Sequence, residues 1–373
     1  MTHREQLEFL REDMDSINKE MLSLFSKRME ISDKIANIKR DGNMSLLDEN
    51  RENQILTRAA DQMGEDLKSD TAIFMSTLMA LSKRRQQKVL MKSTDVMLPP
   101  SRAKVKENIS VGYQGVLGAW GEMAANTLYP ESVTQNYEFF EDVFEAVKSE
   151  GISYGVLPIE NSQTGAIGEV YDLLRRHGCY IVGQAWVNIH HCLMAKPGTN
   201  LDDVREVLSH PEGFRQCHNY LKNRSWDKIT CRNTAVAAEM VAIRQDNRAA
   251  AIGSRRAAER NGLIILTPEI MDSALNKTRF ISISSEPEYN EICDTISVTF
   301  STAHKSGALC NVLGIFMTAG INLSRIESRP ATGGKYRFFV DLQANILDSF
   351  TQTALEQAGA MCEYFEVLGC YNG

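Results

Sequence analysis

The chain has 373 residues, too many for one compact core, so two or three domains are expected. Its 43% hydrophobic and 24% charged content is that of an ordinary globular protein, and a net charge of −7 argues against a nucleic-acid or membrane partner. No apolar run approaches the roughly 18–20 residues of a membrane span, the start has no apolar signal segment, and the eight cysteines show no CxxC pair or metal spacing, so a cytoplasmic protein with free thiols, no metal and no cofactor is expected.

Residues 1–92 carry 16 Lys+Arg and 16 Asp+Glu, which leaves 25 basic and 32 acidic residues to supply the negative charge. The neutral first segment is the relatively basic one and tolerates an anionic substrate better. Its apolar residues fall at Leu7, Leu10, Met14, Ile17, Met21, Leu24, Ile31, Ile35 and Ile38. Steps of three and four predict one helix about 50 Å long. Such a helix cannot bury its stripe against itself. Two further helices, near 46–63 and 67–92, are too few for a self-contained globule, so an intertwined helical homodimer is expected.

Arg28 interrupts the stripe. Alone, it reads as an arginine lifting its guanidinium out of the seam. Lys39 is rotated from it by only about 20° and lies about 16 Å further along the axis. Two long cations on one face can converge on a small dianion. Arg11 is about 100° from Arg28, so it serves such a site more easily in a partner subunit. Asp48, Arg51 and Glu52 share a face of the second helix, and Ser82 and Gln86 share a face of the third. Taken singly, each group reads as a solvated face.

As a set, Arg11, Arg28, Lys39, Asp48, Arg51, Glu52, Ser82 and Gln86 resemble the site of chorismate mutases of the all-helical class. The resemblance implies the Claisen rearrangement of chorismate to prephenate, achieved by holding a compact conformer and stabilising charge on the breaking ether oxygen. It places Arg28 and the partner subunit's Arg11 on the two carboxylates, Lys39 and Gln86 on the ether oxygen, and Glu52 with Asp48 at the ring hydroxyl. Residues 93–106, with Pro99-Pro100 and a basic non-periodic stretch, read as a tether.

From 107 to 286, strand-like runs at 108–113, 152–159, 181–194, 205–209, 228–232, 248–253 and 278–284 alternate with helical patterns such as 167–176, 214–223 and 235–243. Alternation predicts an α/β region with a largely parallel sheet, long enough for two lobes and a cleft. Its polar motifs stand where strands end, the position at which α/β sheets present chemistry. They are Leu157-Pro158-Ile159-Glu160-Asn161-Ser162, Ser209-His210-Pro211 with Gln216-Cys217, Asn233-Thr234-Ala235, Ala251-Ile252-Gly253-Ser254 and Asn276-Lys277-Thr278-Arg279-Phe280. Without further context, Ser209-His210-Pro211 reads as a helix start and Asn233-Thr234 as an N-cap. His190-His191 invites a metal reading, but adjacent strand residues face opposite ways.

Together these motifs resemble prephenate dehydratases, which implies a two-lobed architecture like that of periplasmic binding proteins and conversion of prephenate to phenylpyruvate. By resemblance, Thr278 donates a hydrogen bond to the departing hydroxyl, Arg279 binds a carboxylate, and Asn161, Ser209 and Gln216 orient the substrate. Glu160 is a second candidate proton source. One loop departs from the family pattern: Gly118-Ala119-Trp120-Gly121 keeps an aromatic but lacks the hydroxyl residues usual on either side of it. Backbone N–H groups at the helix start that follows can still bind a carboxylate.

From 287 onward, strand runs at 293–300, 321–328, 335–343 and 361–368 enclose helical patterns at 307–319 and 348–359. The order βαββαβ is that of a ferredoxin-like plait. Gly307-Ala308-Leu309, Asn322-Leu323 and Glu327-Ser328-Arg329-Pro330 resemble the phenylalanine-binding ACT domain, which implies side-by-side pairing and L-phenylalanine as effector. Gly307 as a loop glycine and Gly320 as a helix cap are the plain alternatives.

The expected fold class is therefore multidomain: an all-α mutase domain (1–92), a linker (93–106), a two-lobed α/β dehydratase domain (107–286) and an α+β ferredoxin-like regulatory domain (287–373). That order resembles bifunctional chorismate mutase–prephenate dehydratases, acting as a homodimer or homotetramer and feedback-inhibited by phenylalanine. A mutase fused to an arogenate-type dehydratase, or to an amino-acid-sensing lobe that has lost activity, remains open at this point.

Overall fold

A computed structural model describes residues 2–42, 49–90, 101, 108–331 and 335–373. The chain forms two compact units: 1–96 with 302–319 and 353–364, and 97–301 with 320–352 and 365–373. Apart from Ser101, the expected linker 93–106 lies outside the described residues.

The first unit begins with α1 (His3–Asp41), α2 (Glu49–Asp61) and α3 (Lys68–Leu90). A capping box starts α1: Thr2 Oγ1 accepts from the Glu5 N–H at 3.3 Å, and the Glu5 carboxylate accepts from the Thr2 N–H at 2.7 Å. Arg85 of α3 makes a bidentate pair with Asp33 of α1 at 2.7 and 2.8 Å. The apolar stripe of α1 is left open, with Leu10, Leu24 and Ile38 61%, 65% and 67% exposed. A row of this length is far more apolar surface than a lone helix tolerates in water.

In the second unit, the first lobe holds β1 (Ser110–Gln114), α4 (Trp120–Leu128), β2 (Val133–Tyr137), α5 (Phe140–Lys148), β3 (Tyr154–Asn161), β4 (Gly165–Ala166), α6 (Gly168–His177) and β5 (Tyr180–Asn188). The second lobe holds β6 (Cys192–Ala195), β7 (Glu206–Ser209), α7 (Pro211–Gln216), α8 (His218–Leu221), β8 (Asp227–Thr230), α9 (Thr234–Ile243), β9 (Ala249–Gly253), α10 (Arg255–Arg260) and β10 (Ile264–Thr267). The chain then returns to the first lobe as β11 (Lys277–Ser284). The sheets run β2-β1-β3-β11-β5, with β4 on β3, and β10-β6-β9-β7-β8. The remaining elements are β12 (Thr295–Ser301), α11 (Ala308–Thr318), β13 (Asn322–Pro330), β14 (Tyr336–Gln343), α12 (Ser349–Met361) and β15 (Tyr364–Tyr371), with sheet order β13-β14-β12-β15. That order and the βαββαβ succession are those of a ferredoxin-like plait. Of these, α11 and most of α12 belong to the first unit.

Neither lobe is largely parallel. In the first, β1 runs parallel to β2 and β3, but β11 is antiparallel to both β3 and β5. In the second, β6 is antiparallel to β9 and β10. The antiparallel strands are those that flank the two crossings between lobes, where the chain reverses direction. The expected run 181–194 is divided by one such crossing into β5 and β6, and the expected helix 214–223 divides at Cys217. Edge strand β2 was not foreseen because Val-Thr-Gln-Asn-Tyr buries too little to give an alternating signal.

One core joins the first lobe to the plait sheet, with Phe144, Leu157 and Ile281 packed with Phe339, Leu368 and Tyr371. Two further cores, around Ala238 and Val207, serve the second lobe. All eight cysteines are unpaired, and burial pushes the Cys192 thiol up to about 11 and Cys217 to about 12. No helix among the described residues is long and apolar enough to cross a membrane.

Candidate active sites

A cavity of about 430 Å³ opens between the two lobes, a size that suits a small organic ligand. Pro158, Asn161, Thr278 and Phe280 line it from the first sheet, Trp120 and Gly121 from the start of α4, and His191, His210, Gln216, Arg232, Asn233 and Thr234 from the second lobe's side.

The first-sheet residues depend on a bulge. Thr278 stands opposite Asn161 and Arg279 opposite Glu160, but Phe280 stands opposite Pro158, so Ile159 is the extra residue on β3. A bulge re-aims the side chains around it. Ile159 turns into the core, and Pro158 and Asn161 both reach the cleft despite their odd spacing. A proline is tolerated within a strand at such a point. Asn161 Nδ2 donates to Thr278 Oγ1 at 2.9 Å and to Asn276 Oδ1 at 2.9 Å, while its Oδ1 accepts from the Gln163 N–H at 2.9 Å. Thr278 is 8% exposed. Among the described residues its hydroxyl makes this one hydrogen bond, as acceptor, so its proton remains to be donated into the cleft.

Across the cleft, Asn233 caps α9, its Oδ1 accepting from the Val236 N–H at 2.8 Å. Its Nδ2 is buried without a partner among the described residues. The residue is thus both an N-cap and a cleft donor. Gln216 joins Glu212 to His191, with Nε2 donating to Glu212 Oε1 at 3.1 Å and Oε1 lying 2.8 Å from His191 Nε2. Burial holds the His191 pKa below the ordinary imidazole value, so the ring is neutral near pH 7. If Nε2 carries the proton for Gln216, Nδ1 is an acceptor; it is buried and has no partner among the described residues.

Positive potential comes from three places: the Arg232 guanidinium and the first turns of α4 and α9. Ala119 caps α4 without a side-chain hydrogen bond, so the departure at Gly118–Gly121 leaves backbone N–H groups as the donors there. Arg232 precedes the Asn233 cap and is held by Glu138 of the first lobe. A cation next to an N-cap at a strand end was the available sequence signal, and it was missed, as was His191 as a cleft residue.

The lobes are clamped beside the cleft. Glu122 is buried, bonds Arg256 and Arg260 of α10 at 2.9 and 3.1 Å, and accepts from the Gly118 N–H at 2.5 Å. Gly118 has φ +86, and a Cβ there would sit 2.7 Å from Ala257 Cα. Gly118→Ala combines left-handed strain of about 1–3 kcal/mol with a backbone clash. It is expected to lower the thermal midpoint by about 3–8 °C and to weaken prephenate turnover. An unchanged midpoint in calorimetry would show that the lobes need no contact at this position.

Three expected residues do not face the cleft. Arg279 lies on the opposite face of β11 from Thr278, with Nη1 2.5 Å from Asp341 Oδ2 and Nη2 2.8 Å from the Tyr371 hydroxyl. Strand alternation forbids Thr278 and Arg279 from sharing a surface, which corrects the expectation that Arg279 binds a substrate carboxylate. Glu160 likewise faces away, 2.8 Å from Arg325 Nε, and is not the proton source. Ser209 is fully buried and donates to the Ile252 carbonyl at 3.1 Å, so it secures β7 to β9 instead of touching substrate. His190 lies in a separate hollow with Arg255 and Glu269, on the other side from His191.

In the first unit, Arg28 and Lys39 are both half-buried on α1, and Arg28 Nε is buried without a partner among the described residues. Arg11 is exposed beside Glu8, 3.2 Å away. Ser82 is buried on α3 and donates to the Leu78 carbonyl at 2.9 Å. Gln86, one turn on, is half-buried, and Arg51 on α2 is exposed. Asp48 lies outside the described residues, as does the side chain of Glu52.

Of the expected regulatory residues, Gly307 begins α11 with φ +78, followed by Ala308 and Leu309 in the first turn. Asn322 donates to Gln343 Oε1 at 2.7 Å. Along β13, exposure alternates: Leu323, Glu327 and Arg329 are half-buried, whereas Asn322, Ser328 and Pro330 are exposed. Glu327-Ser328-Arg329-Pro330 therefore spans both faces of the strand. Arg329 lies over Gly168 and 3.9 Å from Asp172 of α6.

Residues 10–87 match the family model of type II chorismate mutase, and residues 111–288 match that of prephenate dehydratase. The chain is 29% identical to the bifunctional chorismate mutase/prephenate dehydratase of Escherichia coli (strain K12), covering 100% of this chain and 97% of that one. It is 39% identical to arogenate dehydratase/prephenate dehydratase 2, chloroplastic, of Arabidopsis thaliana, covering 73% and 77%. A crystal structure of prephenate dehydratase in complex with L-Phe from Arthrobacter aurescens superposes with a TM-score of 0.66 at 27% identity, over 71% of this chain and 90% of that one. With residues 111–288 matching prephenate dehydratase and residues 10–87 matching type II chorismate mutase, the chain belongs to the prephenate dehydratase family, in the form that carries a type II chorismate mutase ahead of the dehydratase.

Proposed function

We propose that this enzyme of phenylalanine biosynthesis, a chorismate mutase and a prephenate dehydratase in one chain, runs its two reactions in separate sites, on residues 1–92 and 107–286, with 287–373 as an ACT regulatory domain. The observation that carries the dehydratase reading is the Thr278 hydroxyl, which lines the cleft and accepts from Asn161, so that its own proton is left to donate.

In the mutase, the ether C–O bond of chorismate breaks as a C–C bond forms, and no proton moves. Arg28 and the partner subunit's Arg11 clamp the carboxylates, Lys39 and Gln86 stabilise the ether oxygen, and Asp48, Arg51, Glu52 and Ser82 complete the pocket. The open stripe of α1 and the exposure of Arg11 support a homodimer, or a homotetramer built from it, whose sites are shared between subunits.

In the dehydratase, the ring hydroxyl of prephenate leaves with its C–O electron pair and takes up a proton to become water. The ring C–CO2 bond breaks, and its electrons make the ring aromatic, giving phenylpyruvate. Thr278 donates a hydrogen bond to the departing oxygen. Asn161 fixes that hydroxyl. Arg232 and the N–H groups of α4 and α9 take the two carboxylates, while Gln216 and neutral His191 orient the substrate. A threonine hydroxyl is too weak an acid to give its proton away fully near pH 7, so the proton that completes water comes from solvent. The unpaired, largely buried thiols fit a reducing compartment such as the cytoplasm.

The test follows both rates in the full chain as L-phenylalanine is added, with arogenate offered beside prephenate. Prephenate is expected to be the preferred substrate, and its turnover to fall with phenylalanine while the mutase changes less. Preference for arogenate would change the substrate assignment. Indifference to phenylalanine would remove the regulatory one.

A further inference from the structure

Glu160 and Arg279 face each other on β3 and β11, as Asn161 and Thr278 do one position away. The two dipeptides therefore serve two surfaces. Asn161 and Thr278 form the cleft, and Glu160 and Arg279 meet the plait sheet. Arg279 is 5% exposed. Its Nη1 donates to Asp341 on β14 and its Nη2 to the Tyr371 hydroxyl on β15. Ser297 of β12 closes the ring, donating to Asp341 Oδ1 at 2.5 Å and lying 2.7 Å from the Tyr371 hydroxyl. Arg325 of β13 holds Glu160. Three strands of the plait sheet, β13, β14 and β15, thus reach one pair of residues on the back of the catalytic strands, and β12 braces two of their side chains.

A buried ion pair adds little stability over a well-packed apolar replacement, but it imposes a geometry. The guanidinium presents its donors in a rigid plane, and two acceptors from different strands fix that plane. Thr278 shares a peptide bond with Arg279, so its hydroxyl is only as well placed as this arginine. Displacing a reacting group by about 1 Å is enough to cost roughly 100-fold in rate.

We propose that Arg279 is a positioning residue for the dehydratase: it locks β11 to Asp341 and Tyr371 of the plait sheet, thereby setting the Thr278 hydroxyl in the cleft, and the state of the plait acts on dehydration through this contact. The proposal rests on the dehydratase reading above and adds a role that the cleft residues do not have.

The test uses the full chain with Asp341→Asn, Arg279→Lys and the pair combined, and with Tyr371→Phe, which removes a single oxygen, as the variant least able to disturb folding. Asp341→Asn and Arg279→Lys are each expected to lower kcat for prephenate by about 10- to 100-fold, with KM within about twofold. The combined variant should be no worse than the poorer single one, because residues of one network do not add. Tyr371→Phe should show a smaller kcat loss of the same kind, and chorismate turnover should stay unchanged in all four. A raised KM with preserved kcat in Arg279→Lys, beside a silent Asp341→Asn, would make Arg279 a substrate clamp and overturn the proposal. Unchanged kcat in Tyr371→Phe and Asp341→Asn would leave the network a packing feature only. A wild-type chain that failed to turn over prephenate would instead refute the dehydratase reading on which this one rests.

Discussion

Thr278→Ala is expected to lower prephenate turnover by about 10²–10³-fold, the usual cost of removing one preorganised donor from a developing charge. The hydroxyl is held by Asn161 Nδ2 at 2.9 Å and has its proton to give. Thr278→Ser keeps the donor but loses the methyl group that restricts its rotamers, so it should retain a useful fraction of the activity. The loss should appear in kcat, since the groups proposed to bind the carboxylates, Arg232 and the helix starts, lie elsewhere in the cleft. Chorismate turnover should be untouched. Equal dehydratase activity in the Ala and wild-type enzymes, measured by steady-state kinetics with prephenate, would move the catalytic role to another group, with His191 the next to test.

Arg28→Ala or Lys39→Ala should lower chorismate turnover by about 10³-fold or more, by removing a carboxylate clamp or a donor to the ether oxygen, while leaving prephenate dehydration near normal. Arg28 Nε is buried with no partner among the described residues. Arg11→Ala should be equally damaging, although Arg11 is exposed on its own chain. Mixed dimers of Arg11→Ala and Arg28→Ala chains should regain turnover, because one of their two sites keeps both residues. If mixing never restores activity, Arg11 is not supplied in trans.

Much of this architecture was legible in the residues. The three and four steps from Leu7 to Ile38 describe α1, and their exposure in the single chain is the property that called for a partner. The βαββαβ order after 287 is present as read. Asn161, Gln216 and Thr278, singled out in the sequence, line one cleft. Arg279, Glu160 and Ser209 were misplaced for a common reason. On strands buried on both faces, such as β3 and β11, nothing in the residue pattern tells which face meets the cleft. Alternation alone separates neighbours, and it did so for His190 and His191, yet Thr278-Arg279-Phe280 was read as a block. The bulge at Ile159 adds a second reversal that no periodicity reveals. Arg232 and Glu122 were missed because their roles depend on the other lobe, and long-range pairing leaves no local signature.

The most direct test of two independent sites in one chain is to give chorismate to the full-length Thr278→Ala enzyme at neutral pH and follow all three compounds. The account predicts that chorismate disappears at the wild-type rate, that prephenate accumulates in equal amount, and that phenylpyruvate does not form on that timescale. Phenylpyruvate appearing at the wild-type rate, or chorismate consumption falling together with dehydration, would contradict it.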